Sequence, residues 1–308
     1  MSQHNIEDGG AHVSIEDLKA LMGQMQGSVP EGPDRVQAFR EVYDGLSMMF
    51  PFPEDGTLRE AREGGVPGAW IEAPGAERSG AMLYLHGGGY ALGSILSHKE
   101  LVYRLSAASK RPGFLVDYRR APENPFPAAL DDAVAAYQGL LASGLKPRQV
   151  AILGDSAGGG LTMATLLALR QKNIPMPGAA VCLSPWADLT LSGAAHKERA
   201  ARDPIVRRED LLGWVEAYAG REKPDNPLLS PVFGDLSGLP PVLIQVGTEE
   251  TLYDDACMLA TGLARGEGTF TFEAWPGMTH VFQQFSGMVP EGLTAIERIG
   301  AFMRYHCS

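Results

Sequence analysis

The chain has 308 residues, of which 44% are hydrophobic and 20% are charged, a composition typical of a globular protein with a sizeable buried core. Its formal net charge of −11 argues against nucleic acid and against an anionic membrane surface as partners, because proteins bind both through an excess of Lys and Arg. The three cysteines, Cys182, Cys257 and Cys307, are too few and too scattered for a disulfide framework or a zinc site. Because the chain also shows no signal-peptide pattern and no apolar run of membrane-spanning length, we expect a cytoplasmic protein.

Strand-like and helix-like runs alternate from about residue 67 onward. The strand-like runs are short, almost continuously apolar and rich in β-branched residues, as is typical of strands buried on both faces. They cover residues 70–72, 81–86, 114–118, 150–154, 179–184, 242–247 and 270–275. The helix-like runs cover residues 101–109, 128–141, 160–172, 253–265 and 293–305. This alternation predicts an α/β fold with a mostly parallel sheet and helices on both faces.

Two segments do not follow this alternation. The first fifty residues predict helices at 14–27 and 34–49, and residues 188–226 predict a helix centred on 208–219. Helical additions to an α/β sheet often lie over the carboxyl ends of the strands, where ligands bind. We therefore expect a cap made of residues 1–50 and 188–226 on a core made of residues 51–187 and 227–308. The alternative is that these helices pack outside the core and take no part in a site.

The predicted cap is rich in methionine and aromatic side chains. These residues either line an apolar pocket or simply pack the cap helices onto the core, and the second interpretation is preferred for most of them. They are Leu21, Met22, Met25, Met48, Met49, Phe50, Trp214 and Tyr218.

A serine between two glycines follows the strand predicted at 150–154. The stretch Gly154-Asp155-Ser156-Ala157-Gly158 matches G-x-S-x-G, in which a sharp turn from strand to helix exposes a nucleophilic hydroxyl. A predicted strand leads directly into the stretch and a predicted helix follows it, which is the context that this motif requires. Ser156 is therefore the predicted nucleophile. The alternative is a glycine-rich turn in which Ser156 caps the helix.

A second motif, His86-Gly87-Gly88-Gly89, ends the strand predicted at 81–86. Consecutive glycines leave backbone N–H groups uncovered, and together with the N–H of Ala157 they would bind an oxyanion. A flexible turn or a phosphate-binding loop is the alternative. The chain has no P-loop lysine at this position and no G-x-G-x-x-G stretch, so the phosphate interpretation is the weaker one.

A general base for Ser156 is expected later in the chain, because proteins with this serine turn have the order serine, acid, histidine. The candidates are His196, His280 and His306. His280 lies in the loop after the last predicted strand, where the carboxyl ends of strands gather catalytic groups, and it is the predicted base. The alternative is a loop histidine that caps the following helix.

The acid is expected in the loop after the strand predicted at 242–247. Asp254 and Asp255 fall in the first turn of a predicted helix, where negative charge stabilises the helix, so a structural role would explain both. Spacing alone does not choose among the four carboxylates of this loop, which are Glu249, Glu250, Asp254 and Asp255.

Four stretches together resemble the signatures of the hormone-sensitive-lipase-like α/β hydrolases, the bacterial family IV esterases. They are His86-Gly87-Gly88-Gly89-Tyr90, Asp117-Tyr118-Arg119-Arg120-Ala121-Pro122-Glu123, Gly154-Asp155-Ser156-Ala157-Gly158-Gly159 and Ser184-Pro185-Trp186-Ala187-Asp188. The likeness covers residues 80–285. It implies an α/β-hydrolase fold with a helical cap, and a carboxylesterase that cleaves short acyl esters through an acyl-enzyme without a metal or other cofactor.

The resemblance also implies roles for individual residues. That family carries its acid at the first position of D-P-L-x-D, and the matching stretch here is Glu250-Thr251-Leu252-Tyr253-Asp254. Glu250 is therefore the implied triad acid, with Asp254 as the alternative. Gly88, Gly89 and Ala157 are the implied oxyanion donors and His86 is an implied structural residue. Residues 117–123 are expected to brace the site through buried charge pairs.

Other functions stay open beside the esterase. A lactone hydrolase, amidase or peptidase of the same fold would carry the same triad and differ only in its pocket. A ligand-binding protein on this scaffold is a second alternative, since plant gibberellin receptors resemble the family but have lost the histidine, whereas this chain has Ser156, His280 and an acid. A homodimer is also expected, because residues 270–275 resemble an exposed edge strand that invites pairing between subunits.

Overall fold

The structure is a computed structural model that describes residues 14–27, 32, 34–45 and 48–307. Its helices are α1 (Ile15–Gly27), α2 (Arg35–Gly45), α3 (Ile95–Ser109), α4 (Ala128–Ala142), α5 (Ala157–Gln171), α6 (Ala195–Glu198), α7 (Arg208–Ala219), α8 (Tyr253–Arg265) and α9 (Pro290–His306). Its strands are β1 (Thr57–Glu63), β2 (Val66–Glu72), β3 (Ala81–Leu85), β4 (Gly113–Val116), β5 (Val150–Asp155), β6 (Ala179–Leu183), β7 (Val242–Gly247) and β8 (Phe270–Trp275). Of the predicted cap segment 1–50, residues 1–13, 28–31, 33, 46 and 47 lie outside the described residues.

The described strands form one eight-stranded sheet in the order β1-β2-β4-β3-β5-β6-β7-β8. Strands β3 to β8 pair in parallel, while β2 is antiparallel to both of its neighbours. Every residue of β3 to β7 is buried. The predicted α/β fold with a mostly parallel sheet is confirmed. Because the strands are parallel, the loops after β3, β5, β6 and β7 gather at one edge of the sheet.

Strand β1 was not predicted, and its sequence explains why. Thr57–Glu63 reads TLREARE, in which most side chains are exposed, so neither an apolar run nor a clear alternation marks it. It lies at the edge of the sheet and pairs only with β2. Charged residues on such an edge limit unwanted pairing with other chains.

Three helices, α3, α5 and α9, begin earlier than their sequences predict, and α9 begins at Pro290, a residue type favoured in the first turn of a helix. Helix α3 begins at Ile95, because the Ser94 hydroxyl accepts hydrogen bonds from the N–H groups of Leu96 and Ser97 and so caps the helix. Helix α5 begins at Ala157 and includes Gly158–Gly160, although glycine is a poor helix former. The close approach of neighbouring backbone requires glycine there, since a β-carbon at Gly158 would collide with the carbonyl oxygen of Leu85.

Helices cover both faces of the sheet and bury separate cores. One core contains residues of α4, α5, α7 and α8, and the other contains residues of α3 and α9. A third, smaller cluster joins Leu18 and Met22 of α1 to Met278, Phe282 and Phe285 of the loop after β8. The amino-terminal helix therefore packs beside the loop that carries His280. Within the described ranges, no helix has both the length and the apolar character of a membrane span.

Two glycine-to-alanine variants test the packing of α5 against β3. Gly158→Ala places a β-carbon against backbone atoms of Leu85 and His86, so we expect a loss of about 2–3 kcal/mol in the free energy of unfolding. Gly213→Ala lies within α7 at a position with no neighbouring atom within 4 Å, and we expect a gain of up to about 1 kcal/mol there. Urea unfolding of both purified variants measures the difference, and equal effects would contradict the close contact.

Candidate active site

Ser156 occupies the turn between β5 and α5 in a strained backbone conformation. Its φ of 53° and ψ of −122° lie in a region that non-glycine residues rarely adopt. The turn is held by bonds to the next strand, since Ser156 N–H donates to Leu183 O at 2.8 Å and Ser156 O accepts from Trp186 N–H at 2.8 Å. The Ser156 hydroxyl forms no capping bond to α5, so the capping alternative does not describe this residue.

His280 and Glu250 lie in direct contact. His280 Nδ1 is 2.9 Å from Glu250 Oε2, which requires the proton on Nδ1 and leaves Nε2 of the neutral ring as an acceptor. Glu250 is fully buried, and its Oε1 accepts hydrogen bonds from Ser184 Oγ at 2.7 Å and Gly247 N–H at 2.5 Å. His280 lines the same cavity as Ser156. The structure therefore brings together the serine, histidine and glutamate expected from the sequence.

The charge of Glu250 controls the protonation of His280. Burial of the imidazole favours its neutral form, but the hydrogen bond to Glu250 and the negative charges of Glu250, Asp203 and Asp155 outweigh burial and raise the pKa of His280. A base with a raised pKa binds a proton more strongly, which suits a group that must take a proton from a serine hydroxyl.

The other three candidate acids have different partners. Asp254 Oδ2 accepts the N–H of Ala195 at 2.9 Å, and Asp255 Oδ2 accepts the N–H groups of Ala187 and Asp188. Glu249 lies beside Arg202 and Lys19. Of these four carboxylates, all within the described residues, Glu250 alone contacts His280.

The other candidate bases lie in structural surroundings. His196 is buried beside Asp255, with 3.2 Å between Nε2 and Oδ1. His306 packs against Phe302 and Tyr305 at the end of α9.

The backbone around the cavity offers uncommitted donors. Gly88 and Gly89 adopt φ angles of 107° and 60°, which glycine tolerates, and both line the cavity with Ser156. Ala157 is buried at the first position of α5. Within the described part of the chain, the N–H groups of Gly88, Gly89 and Ala157 have no protein acceptor. This is the arrangement that an oxyanion site requires.

The carboxylate of Asp155 connects the serine turn to the glycine loop. It is fully buried, and its Oδ1 accepts hydrogen bonds from Tyr84 Oη at 2.8 Å and from Gly87 N–H at 3.0 Å. His98 Nε2 lies 3.3 Å from Oδ2. Burial opposes ionisation, but His98 and the hydrogen bonds from His98 and Tyr84 hold the pKa of the Asp155 carboxyl below its usual range.

His86 has the surroundings of a structural residue. Its ring is buried, its Nδ1 donates to Gly87 O at 2.9 Å, and it stacks on Tyr118 with 4.1 Å between ring centroids. Burial lowers the pKa of His86 to about 3, so the ring is neutral at physiological pH. These contacts fix the start of the glycine loop.

The expectation that residues 117–123 form buried charge pairs is wrong. Arg119 pairs with Asp132 at 2.8 Å and Glu123 pairs with Arg40 of α2 at 2.8 Å, but the side chains of Arg119 and Glu123 are 53% and 57% exposed. This stretch braces the loop through bonds to carbonyl groups instead. Tyr118 Oη donates to His86 O, and Arg120 Nη1 donates to Gly93 O.

The candidate site opens into a small, mainly apolar cavity of about 140 Å³. Ser156, His280, Gly88 and Gly89 form its floor. Its walls come from α1, α2, α7, the segment before α7 and the loops after β3 and β6, namely Met22, Phe39, Val42, Tyr43, Leu92, Trp186, Ile205, Val206, Arg207, Asp210, Leu211 and Trp214.

Both interpretations of the cap residues apply to part of the set. Met22 and Trp214 line the cavity, whereas Tyr218 stacks on Tyr90 and Phe50 packs on Phe285. Met48 is 86% exposed, and the side chain of Met25 lies outside the described part of the structure.

Two residues that connect the parts of the site, Asp155 and Ser184, are not predicted as such from the sequence. Asp155 belongs there only to the serine motif, and Ser184 only to the stretch 184–188. Their partners are far away in sequence, so no local pattern reveals them. Their positions could have indicated this role, because both residues lie at the carboxyl ends of parallel strands, where functional groups gather. Among the described residues, no cluster of three or more His, Cys, Asp or Glu side chains is arranged to hold a metal ion.

Comparisons with known proteins agree with the fold. A family model described as alpha/beta hydrolase fold matches residues 82–284. An acetyl-hydrolase from Streptomyces hygroscopicus is 49% identical over 235 residues, which cover 76% of this chain and 78% of the relative. An esterase from Acinetobacter venetianus is 35% identical over 266 residues, which cover 86% and 88%. The crystal structure of an esterase from the bacterial hormone-sensitive lipase family has a TM-score of 0.92 at 40% identity, covering 96% of this chain and 98% of that one.

Replacement of Asp155 tests the connection between the serine turn and the glycine loop. Asp155→Asn removes a buried charge on which three donors converge, so we expect a loss of roughly 3 kcal/mol in unfolding free energy at neutral pH. Because the pKa of Asp155 is lowered in the folded state, this stabilisation is present above the unfolded-state pKa of about 3.8 and is lost as the pH falls through the lower folded-state value. In urea unfolding, the difference in unfolding free energy between wild type and Asp155→Asn should be the same at pH 7 and pH 5 and smaller at pH 3.5. A difference that does not change with pH would contradict an ionised Asp155.

Proposed function

The chain belongs to the α/β-hydrolase-fold family, among its bacterial hormone-sensitive-lipase-like esterases, and from this membership we propose that it hydrolyses short-chain carboxylic esters through Ser156, His280 and Glu250. The observation that carries the proposal is the 2.9 Å contact between His280 and Glu250 beside a cavity that also contains the strained Ser156. A nucleophile, a base and an orienting acid in this arrangement are the requirements for acyl transfer.

In the proposed mechanism, His280 Nε2 takes the proton from the Ser156 hydroxyl as Oγ attacks the ester carbonyl carbon. Glu250 keeps the ring oriented and stabilises the imidazolium that forms. The tetrahedral intermediate collapses as His280 gives its proton to the departing alcohol, which leaves an acyl-Ser156 ester. Water, deprotonated by His280, attacks this ester, and the carboxylic acid product leaves with Ser156 restored.

The N–H groups of Gly88, Gly89 and Ala157 are the proposed oxyanion donors. Their freedom from protein acceptors supports this role, since no internal bond has to break when the oxyanion forms. Fixed peptide dipoles beside a mainly apolar cavity stabilise a negative charge more strongly than water does, and one such donor is typically worth about 100- to 1,000-fold in rate.

The size and lining of the cavity favour a short acyl group. Trp214 packs so closely over Gly89 that a β-carbon added there would lie 2.8 Å from indole Cδ1. Phe39 of α2 meets the indole edge to face, with 5.6 Å between centroids. The two rings narrow a cavity of about 140 Å³ whose lining is mainly apolar. The name of the Streptomyces relative, an acetyl-hydrolase, agrees with a small acyl group.

The cap, the compartment and the subunit arrangement belong to the same proposal. Contacts of Met22, Phe39 and Trp214 with the cavity support a cap built from residues 1–50 and 188–226. The free, buried thiols of Cys182 and Cys307 support a reducing, cytoplasmic compartment.

Strand β8 pairs only with β7 among the described strands, which supports a homodimer through this edge. Sedimentation at micromolar concentration tests the dimer, and a monomer would reject it.

The first activity test compares four proteins on p-nitrophenyl esters from acetate to laurate. We expect wild type to prefer the short chains and Ser156→Ala to lose all turnover. Glu250→Gln keeps the shape of the acid but removes the charge that stabilises the imidazolium, so we expect kcat to fall roughly 100-fold or more. Loss of that charge also lowers the pKa of His280, so the acid limb of kcat/KM moves to lower pH.

Asp254→Asn is the matched control, because Asp254 lies four residues away and contacts Ala195 instead of His280. Its activity should fall far less than that of Glu250→Gln. A larger effect of Asp254→Asn would transfer the acid role to that residue. A folded wild type that cleaves no ester, including a simple lactone, would reject the proposed function.

A second test concerns chain length. Trp214→Ala removes the ring over Gly89, so we expect the ratio of octanoate to acetate turnover to rise roughly 10-fold or more. Trp70→Ala is the control, since Trp70 is a half-buried tryptophan of β2 that packs on Phe114 and does not line the cavity. Equal ratios in the two variants would show that Trp214 does not limit the acyl chain.

A further inference from the structure

Residues 195–206 run along the loop that follows β7 and contact it on both sides of Glu250. This segment comes from the proposed cap, whereas the loop belongs to the core. Polar side chains make most of the contacts, which gives the interface a defined geometry. The contacts join Ala195 to Asp254, Arg199 to Thr248 and Tyr253, Arg202 to Glu249, and Asp203 to Thr251.

Asp203 makes the contact next to Glu250. Its carboxylate is buried, with 4% exposure, and each oxygen binds a different segment. Oδ1 accepts the N–H groups of Ile205 at 2.9 Å and Val206 at 3.0 Å. Oδ2 accepts the N–H of Thr251 at 2.9 Å and its hydroxyl at 3.1 Å. One carboxylate thus joins two residues that line the cavity to the residue that follows Glu250.

We propose that Asp203 is a positioning residue for the acid–base pair: through Thr251 it holds the Glu250 loop against the cavity wall at Ile205 and Val206. The inference rests on the proposed triad and deepens it. It makes the orientation of Glu250 depend on a cap segment as well as on the core.

Thr251 is the residue type that this contact needs. It donates to Asp203 through both its N–H and its hydroxyl, and the hydroxyl also lies 3.3 Å from Val206 O. A proline, which occupies this position in the D-P-L-x-D pattern, has neither donor. Thr251 therefore ties the Glu250 loop to Asp203 through two hydrogen bonds that a proline could not form.

Asp203 also contributes charge to the site. The charged groups that act on His280 are Glu250 in contact with it and the carboxylates of Asp203 and Asp155. Arg207 and Asp210 line the same cavity and pair with each other at 3.0 Å. Removal of the Asp203 charge takes away one source of imidazolium stabilisation, so the pKa of His280 should fall.

A purely local role for Asp203 is the competing explanation, because its Oδ1 closes a turn to Ile205 and Val206. Asp188 provides a matched comparison. It is a fully buried carboxylate of the same cap segment and also accepts four hydrogen bonds. All four come from its own turn, from the N–H and hydroxyl groups of Thr190 and Ser192.

The experiment compares Asp203→Asn with Asp188→Asn in full-length protein, using the pH dependence of kcat/KM for p-nitrophenyl acetate. We expect Asp203→Asn to move the acid limb to lower pH by roughly 0.5 unit and to lower kcat roughly 10-fold. Asp188→Asn should lower thermal stability without moving the limb. The proposal is overturned if Asp203→Asn leaves the limb in place, or if both variants move it equally.

Thr251 variants decide the question even if Asp203→Asn fails to fold. Thr251→Val keeps the shape and the N–H but removes the hydroxyl bond, so we expect kcat to fall roughly 3- to 10-fold with less movement of the limb than in Asp203→Asn. Thr251→Ser retains both donors and should keep wild-type kcat. Equal kcat in the Val variant, the Ser variant and wild type would overturn the proposal.

Labelling of Ser156 by a fluorophosphonate separates this inference from the proposed function. If wild type is neither labelled nor active, the triad itself fails. If wild type is labelled and shows a titrating base while the variants give the overturning results, only the role of Asp203 fails.

Discussion

The buried carboxylate of Asp155 is the contact on which the geometry of the site depends. Burial of a carboxylate costs several kcal/mol, and donors from Tyr84, Gly87 and His98 offset this cost. These donors belong to β3, the glycine loop and α3, whereas Asp155 itself ends β5 and precedes Ser156. The bonds therefore fix the serine turn relative to the loop that carries Gly88 and Gly89, two residues that line the cavity. Buried contacts of the core therefore set the spacing between Ser156 and the glycines proposed as oxyanion donors.

Three buried carboxylates from three parts of the chain act electrostatically on His280, the proposed base. Asp155 acts from the end of β5, Glu250 from the loop after β7, and Asp203 from the segment before α7. Each one is held by hydrogen bonds, so none needs to reorganise when His280 becomes positively charged in the proposed mechanism.

Much of the core could be predicted from the sequence because it is buried on both faces. Strands β3 to β7 form apolar runs, whereas β1 could not be predicted, since its exposed edge carries charged residues. Ser156 and His280 could be predicted from a motif and from positions at strand ends. The prediction of Glu250 depended on the family resemblance. The sequence does not show which of the four carboxylates in this loop the backbone directs toward His280. Asp203 could not be predicted, since the role proposed for it depends on Thr251, a partner far along the chain.

The Glu250 side chain has one more methylene group than an aspartate would have. Its additional rotatable bond has to be held in one conformation for the carboxylate to stay on His280. Its Oε2 binds His280, while its Oε1 is held by the Ser184 hydroxyl and the Gly247 N–H. The same hydroxyl accepts the N–H of Val281 at 3.0 Å, next to the base. Ser184 and Val281 both adopt positive φ, 46° and 48°, a conformation that costs energy in non-glycine residues. One hydroxyl after β6 therefore holds both Glu250 and the segment that carries His280, and Asp203 binds the Glu250 loop through Thr251.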